Sequence, residues 1–246
     1  MKNKFKCAVL ILSIAFAPSG FAEETKPAHP ERIQELMKKA DGGDLKSQLE
    51  LGEYFYYRAE RPLRDSAKSL YWYEKAANQN DLKGQIETSR FYRNAIGTKL
   101  DLKKAEYWAI KAAEQGDAKS QSSLGMFYMN NSDVYPKSRE LALPWLRKAA
   151  QQYDADGLYL LNSECFEEKG APRSHAIASA ALYGVAVKRS HMIGSTEKLM
   201  TSKAEAFMEE LSESEKKKAE KLIIDMAVDG KLLDKLNSAT KDAPCI

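Results

Sequence analysis

A tryptophan followed by an alanine pair recurs along the chain at a nearly fixed interval. The segments are Tyr71-Trp72-Tyr73-Glu74-Lys75-Ala76-Ala77, Tyr107-Trp108-Ala109-Ile110-Lys111-Ala112-Ala113 and Pro144-Trp145-Leu146-Arg147-Lys148-Ala149-Ala150. Trp72, Trp108 and Trp145 are 36 and 37 positions apart. Self-similarity at this period describes stacked helical hairpins, in which each unit buries its apolar face on the next. A chain built this way offers an extended surface rather than one closed core.

The rest of the pattern keeps the same phase. Asp44, Asp81, Asp117 and Asp154 recur at 37, 36 and 37 residues, each just before a helical stretch. A carboxylate there can accept from free backbone N–H groups and face the positive helix end. Gly52, Ser89, Gly125 and Asn162 share one position on the first helix of each hairpin. Glycine inside a helix costs about 1 kcal/mol in propensity, so a close neighbouring helix is expected there. Ala76 and Ala77, Ala112 and Ala113, and Ala149 and Ala150 let the next hairpin approach, and the tryptophans fill the remaining volume. Breakers at Arg61-Pro62, Ile96-Gly97, Tyr135-Pro136 and Gly170-Ala171-Pro172 mark the inner loops. The fourth copy, Ala181-Leu182-Tyr183-Gly184-Val185-Ala186, has no tryptophan.

Residues 31–43 look like the second half of a repeat, an N-terminal cap helix with Ile33, Leu36, Met37 and Ala40 on one face and Gly42-Gly43 ending it. Residues 44–191 divide into hairpins at 44–80, 81–116, 117–153 and 154–191. Residues 192–246 leave the period and form a C-terminal helical cap and tail. Leu199, Met200, Ala204, Phe207, Met208 and Leu211 make one apolar face, and Ser212 to Glu215 has capping-box spacing. An open stack needs such a cover.

These residues resemble the Sel-one-like repeat family, a relative of the tetratricopeptide repeat. Trp72-Tyr73-Glu74-Lys75-Ala76-Ala77 and Lys111-Ala112-Ala113-Glu114-Gln115-Gly116-Asp117 are close matches to its Trp-Tyr-x-Lys-Ala-Ala-x-x-Gly pattern, and residues 44–191 carry the likeness. The glycine-rich turn usual between the two helices is replaced by Ala59-Glu60-Arg61-Pro62 and Ser132-Asp133-Val134-Tyr135-Pro136. The resemblance implies an all-α, right-handed α/α solenoid whose first helices line a concave groove.

The N-terminus reads as an export signal. Lys2, Lys4 and Lys6 precede an apolar run from Ala8 to Ala17, and Gly20-Phe21-Ala22 supplies small residues for cleavage. The run is about half the length of a membrane-spanning helix. Residues 1–22 are therefore expected to be removed, residues 23–30 to be a linker, and the mature protein to be periplasmic, with no membrane span. The whole chain carries 38 basic and 35 acidic residues, and three of the lysines lie in the signal. The mature chain is then electrically balanced, which argues against a nucleic-acid partner. Export also leaves Cys165 and Cys245 where disulfides persist. They either pair, closing a loop at a gain of about 4 kcal/mol, or remain a buried helical thiol and a tail thiol. Mass analysis after alkylation without reductant separates the two.

Nothing in the sequence assembles a catalytic set, a metal site or a cofactor site. His29 falls in the linker. His175 and His191 lie 16 residues apart on one expected helix, about 24 Å at helical rise. There is no glycine-rich phosphate loop, nucleophile elbow or Cys-x-x-Cys. The groove is the remaining asset. If the tetratricopeptide facing holds, its lining includes Lys46, Leu49, Glu53, Tyr56, Lys83, Ile86, Arg90 and Arg93. It continues with Lys119, Ser122, Met126, Met129, Tyr159 and Phe166. Lys46, Lys83 and Lys119 form a ladder, and Arg90 and Arg93 make the middle of the groove cationic. The expected partner is a protein or peptide with an acidic segment; a solvated lysine after each cap is the plainer alternative. The expected function is non-enzymatic protein binding. The resemblance implies specific forms of it: an immunity protein against a phospholipase-family effector of type VI secretion, or an envelope adaptor or host-interaction factor. Hydrolase activity, proposed for cysteine-rich relatives, is weakened because the paired cysteines within each repeat are absent.

Overall fold

The structure, a computed structural model, describes residues 30–58, 64–166, 173–189, 195–228 and 231–240; among them there are twelve α-helices and no strand. A single helix, α1 (Pro30–Asp41), precedes the hairpins. The first hairpin is α2 (Leu45–Glu53) with α3 (Ser66–Asn78), and the second α4 (Leu82–Arg93) with α5 (Leu102–Glu114). The third is α6 (Ala118–Asn130) with α7 (Ser138–Gln151), and the fourth α8 (Ala155–Phe166) with α9 (Arg173–Arg189). The cover is α10 (Ser195–Glu209), α11 (Glu213–Val228) and α12 (Leu232–Ala239). Each helix packs on its successor through α10, α11 returns onto α9, and α12 reaches back to α7 and α9. The chain is thus an α/α stack closed at its C-terminal end.

The recurring aspartates act as helix caps. Asp44, Asp81, Asp117 and Asp154 accept from the backbone N–H of Ser47, Gly84, Ser120 and Gly157 at 2.7–2.8 Å. Hydrogen bonds from Ser47 hold the Asp44 carboxyl below its ordinary range. Asp65 and Asp101 cap the second helices α3 and α5 in the same way, at 2.9 Å. The turn before each capping aspartate contains one left-handed residue: Gly43, Asn80, Gly116 and Tyr153. Asparagine tolerates that conformation; tyrosine does so at a steric cost.

The alanine pairs do what their size suggests. A Cβ on Gly84 would lie 2.6 Å from the Ala77 backbone nitrogen, and one on Gly157 2.6 Å from the Ala149 Cβ. Each first helix therefore enters against the bare end of the preceding second helix. Gly52 and Gly125 serve a different contact, within their own hairpin: a Cβ there would meet the Tyr73 ring or the Leu146 side chain. Trp72 closes the first junction with Ala40, Leu51 and Phe55, beside Ile33, Leu36 and Met37 of α1. Trp108 is buried, and Trp145 is half-buried with the Lys148 ammonium 4.2 Å from its ring.

A polar ladder ties the first three hairpins together. Gln79 donates to Gly43 O and Gln48 Oε1, Gln115 to Asn80 O and Gln85 Oε1, and Gln152 to Gly116 O and Gln121 Oε1, all at 2.8–3.0 Å. The α2 helix runs on as a π-helical turn, Tyr54–Arg58. That wider turn lets Phe55 pack with Trp72 while Tyr56 tilts against Phe91, centroids 5.0 Å apart.

The C-terminal cover departs from its expected face at one position: Leu199 is 47% exposed, whereas Met200 and Leu211 are buried. The face turns by one residue because Met200 enters the core around α9. The Glu215 carboxylate accepts from Ser212 N at 2.9 Å, completing that side of the capping box. Cys165 on α8 is disulfide-bonded; Cys245, the partner expected from the sequence, lies outside the described residues. So do the signal segment 1–22, the linker 23–29, His29, His191 and the loops around Pro62 and Pro172.

Candidate functional site

The first helices carry a position-by-position charge register that explains the site. Lys46, Lys83, Lys119 and Asp156 occupy one equivalent position, and Glu53, Arg90 and Met126 another. At the junction of the first and second hairpins, Lys83 reaches back to Glu53 in an ion pair. At the next junction the residue in the place of Glu53 is Arg90. Lys119 meets a cation there, and it turns forward instead to pair with Asp156 on α8. The junction between the second and third hairpins is left with like charges where its neighbours have an ion pair.

A pocket of about 120 Å³ opens at this junction, between α4 and α6 and over α5. Its lining includes Ile86, Arg90 and Arg93 from α4, Ala112 from α5, and Lys119 and Ser123 from α6. Ala112 belongs to an alanine pair, and its small side chain leaves the floor low. Arg90 is fully engaged: it donates to Glu87 at 2.6 and 2.8 Å and to the Tyr57 hydroxyl at 3.2 Å, and lies 4.9 Å from the Tyr56 and Phe91 ring centroids. Burial opposes its charge, but hydrogen bonds to Tyr56 and Glu87 outweigh that and hold the guanidinium above its ordinary value. Lys119 is likewise raised, Asp156 overcoming the effect of burial. Arg93 differs. Burial, and then the nearby Arg90 charge, lowers it below the usual arginine value. Among the described residues its guanidinium has no hydrogen bond, ion pair or ring contact.

The remaining expected groove residues divide by surroundings. Lys46 is exposed without an ion pair among the described residues. Ile86 and Met126 are 38% and 37% exposed, and Ile86 lines the pocket. Tyr56, Leu49, Met129 and Tyr159 are partly buried against the core. Ser122 is a correction: it is buried, its hydroxyl donating to Lys119 O at 3.1 Å, and Ser123 lines the pocket in its place. One position along a helix turns a side chain by about 100° at 3.6 residues per turn. Phe166 ends α8, and its side chain is outside the described residues. The lysine ladder is not a row of free cations, because Lys83 and Lys119 bridge successive hairpins. Glu87 and Asp156 escaped the sequence reading, although the exchange of Glu53 for Arg90 between aligned repeats was the available signal.

Among the described residues, no three of His, Cys, Asp and Glu are grouped to hold a metal, and His175 is buried on α9. No described helix is long and apolar enough to cross a membrane.

The family model for the Sel1 repeat matches residues 45–81, 83–117 and 118–154. These spans coincide with the first three hairpins; the fourth lies beyond them. No curated protein matches the chain significantly. Among solved structures, a protective antigen present in uropathogenic Escherichia coli strains, displaying an SLR fold, is similar at 23% identity with a TM-score of 0.50 over 85% of this chain. The chain spans 48% of that protein's length. A Sel1 repeat protein from Oxalobacter formigenes is 30% identical, with a TM-score of 0.44, over 55% of this chain and 99% of that one. Sel1 repeats are typically non-catalytic modules that mediate protein–protein interaction. Through its three matched hairpins, the chain belongs to the Sel1 repeat family.

Proposed function

We propose that the protein binds a segment of a partner protein along the first-helix face, without catalysis, in the bacterial periplasm. The observation that carries the reading is the pocket between α4 and α6, where Arg93, without a partner among the described residues, shares the lining with exposed Ile86, and exposed Met126 lies further along α6. Arginine beside methionine and aliphatic surface is the composition that interfaces favour. On the second helices the exposed Tyr71 and Tyr107 already have a cation near the ring, Lys75 and Lys111 at 5.4 and 6.0 Å from the centroids. The periplasmic address rests on the basic, apolar and small-residue order of residues 1–22.

Within this reading, neutralisation of a phospholipase-family effector is the specific role we infer. A photoreactive residue placed at Ile86 or Met126 should cross-link the effector in cells, and one at Tyr107 should not. Cross-linking from Tyr107 alone would move the site to the second-helix face. Deleting the gene should sensitise cells to siblings that secrete the effector; full resistance of the deletion strain would remove the immunity role and leave the binding module.

A further inference from the structure

We infer that the pocket between the second and third hairpins takes a carboxylate from a glutamate or aspartate side chain of the bound segment. The acid would supply the charge that the first junction carries on Glu53. The inference rests on the first-helix binding reading and adds the chemistry that the segment must bring.

Three observations converge. The junction between the first two hairpins closes with Lys83 on Glu53, and the third junction with Lys119 on Asp156. At the middle junction the equivalent of Glu53 is Arg90, so the ion pair cannot form within the chain. The pocket that results is lined by Arg90, Arg93 and Lys119 together. Glu87 and Asp156 neutralise Arg90 and Lys119 from outside it, and among the described residues Arg93 has no counter-charge. A half-buried guanidinium that has lost part of its water and gained no acceptor is an unfavourable arrangement. An incoming carboxylate offers two acceptor oxygens to the planar fork of Arg93.

The pocket's size and walls narrow the ligand. A volume of about 120 Å³ suits one short side chain rather than a folded element. Ile86, Ala109 and Ala112 supply apolar wall for the methylenes of such a side chain. Ser123 also lines the pocket, and its hydroxyl can donate to a neighbouring peptide carbonyl.

The test uses the mature protein and three probes. They are an acetylated, amidated glutamate-rich hexapeptide, its glutamine counterpart, and inorganic phosphate. Binding is followed by the NMR shift of the Arg93 Nε–Hε group and by fluorescence anisotropy. The glutamate peptide should shift that resonance and bind at least tenfold more tightly than the glutamine peptide. Arg93→Gln should weaken the glutamate peptide at least tenfold with unchanged helicity, and Arg93→Lys should restore only part. Equal binding of both peptides would overturn the inference, as would a glutamate peptide indifferent to Arg93→Gln. Phosphate competing as well as the peptide would show a general anion site and overturn the carboxylate assignment. The failures are separable: if Ile86 still cross-links the effector in the Arg93→Gln protein, the binding face stands and only its chemistry falls.

Discussion

The first three hairpins and the C-terminal end solve the same stacking problem by different means. In the hairpins each junction repeats one polar device. An aspartate caps the entering helix, a left-handed Gly or Asn makes the turn, and a glutamine bridges two hairpins. At the last junction Asp154 keeps the cap, but the turn residue and the glutamine bridge change together. The position of Gln152 is taken by Arg189, that of Gln121 by Leu158, and the left-handed turn residue is Tyr153. Arg189 lies over the Tyr153 ring at 4.7 Å, and the Tyr153 hydroxyl donates to Met226 O at 2.8 Å. α9 is enclosed by α8, α10 and α11, and Ala178, Ala180, Ala181, Leu182, Tyr183, Val185 and Ala186 are all buried. A helix covered on all sides reads as apolar all round. Repetition by polar register leaves the exposed first-helix positions free to vary. Closure by apolar burial ends the stack and leaves little surface to evolve.

The sharpest way to break this contrast is to add one methyl group in each region. Gly84→Ala forces a Cβ against backbone of the preceding second helix, which cannot turn aside. Gly184→Ala meets the Ile223 side chain at 2.4 Å, and that side chain can change rotamer. The first substitution should destabilise by about 1–3 kcal/mol. The second should cost less, because the Ile223 side chain can move aside where the Ala76 and Ala77 backbone cannot. Urea unfolding of both variants measures the difference, and equal losses would mean that the two junctions are equally rigid.

The legible part of the molecule follows the same division. The tryptophan and alanine period placed the first three hairpins, because close approach can be met only by a small residue and the interval repeats it. The capping aspartates on the first helices were legible for a similar reason: Asp44, Asp81 and Asp117 differ from their surroundings in charge. The caps Asp65 and Asp101 and the glutamine ladder went unread, though Gln79, Gln115 and Gln152 keep the period. A glutamine in a polar stretch carries no signature of its partner until both helices are placed. The site was half legible. Arg90, Arg93 and Lys119 were named as groove cations, but ion pairing within and between hairpins decides which of them faces a ligand.

The glutamine bridge tests the polar side of the comparison. Gln115→Ala removes two donations and leaves Asn80 O and Gln85 Oε1 without their partner. A loss of about 1–2 kcal/mol is expected. Arg189→Ala at the equivalent place removes an exposed ring contact worth about 0.5–1 kcal/mol. Thermal melting ranks the two, and a larger loss for Arg189→Ala would contradict the view that the last junction has given up its polar tie.

Asn162 sharpens it in the opposite direction. It sits where the other hairpins have Gly52, Ser89 and Gly125, it is fully buried, and neither amide atom has a hydrogen-bond partner. Ser89 shows the alternative, its hydroxyl donating to Ala105 O on the facing helix at 2.8 Å. Asn162→Ser should therefore raise stability by about 1 kcal/mol, the scale of one buried polar group satisfied. A lower melting temperature would mean that amide volume matters more there than satisfaction.

The smallest effect is expected at alkaline pH, and it too separates the regions. The phenol–carboxylate contacts Tyr92–Glu74, Tyr128–Glu106 and Tyr135–Glu106 all lie in the first three hairpins. Burial, and then the Glu106 carboxylate, pushes Tyr135 up to about 12, and the same causes raise Tyr128. A folded-state value above the unfolded value of about 10 means that the protonated phenol stabilises the fold. That stabilisation is complete below pH ~10 and is lost as pH rises from there through about 12. Urea midpoints should hold steady up to pH ~10 and fall above it. Tyr135→Phe keeps the ring and removes the ionisable hydroxyl, so its midpoint should fall less steeply over that window. An unchanged slope would place the alkaline loss on the other raised phenols of the first three hairpins, Tyr128, Tyr92 and Tyr73, rather than on Tyr135.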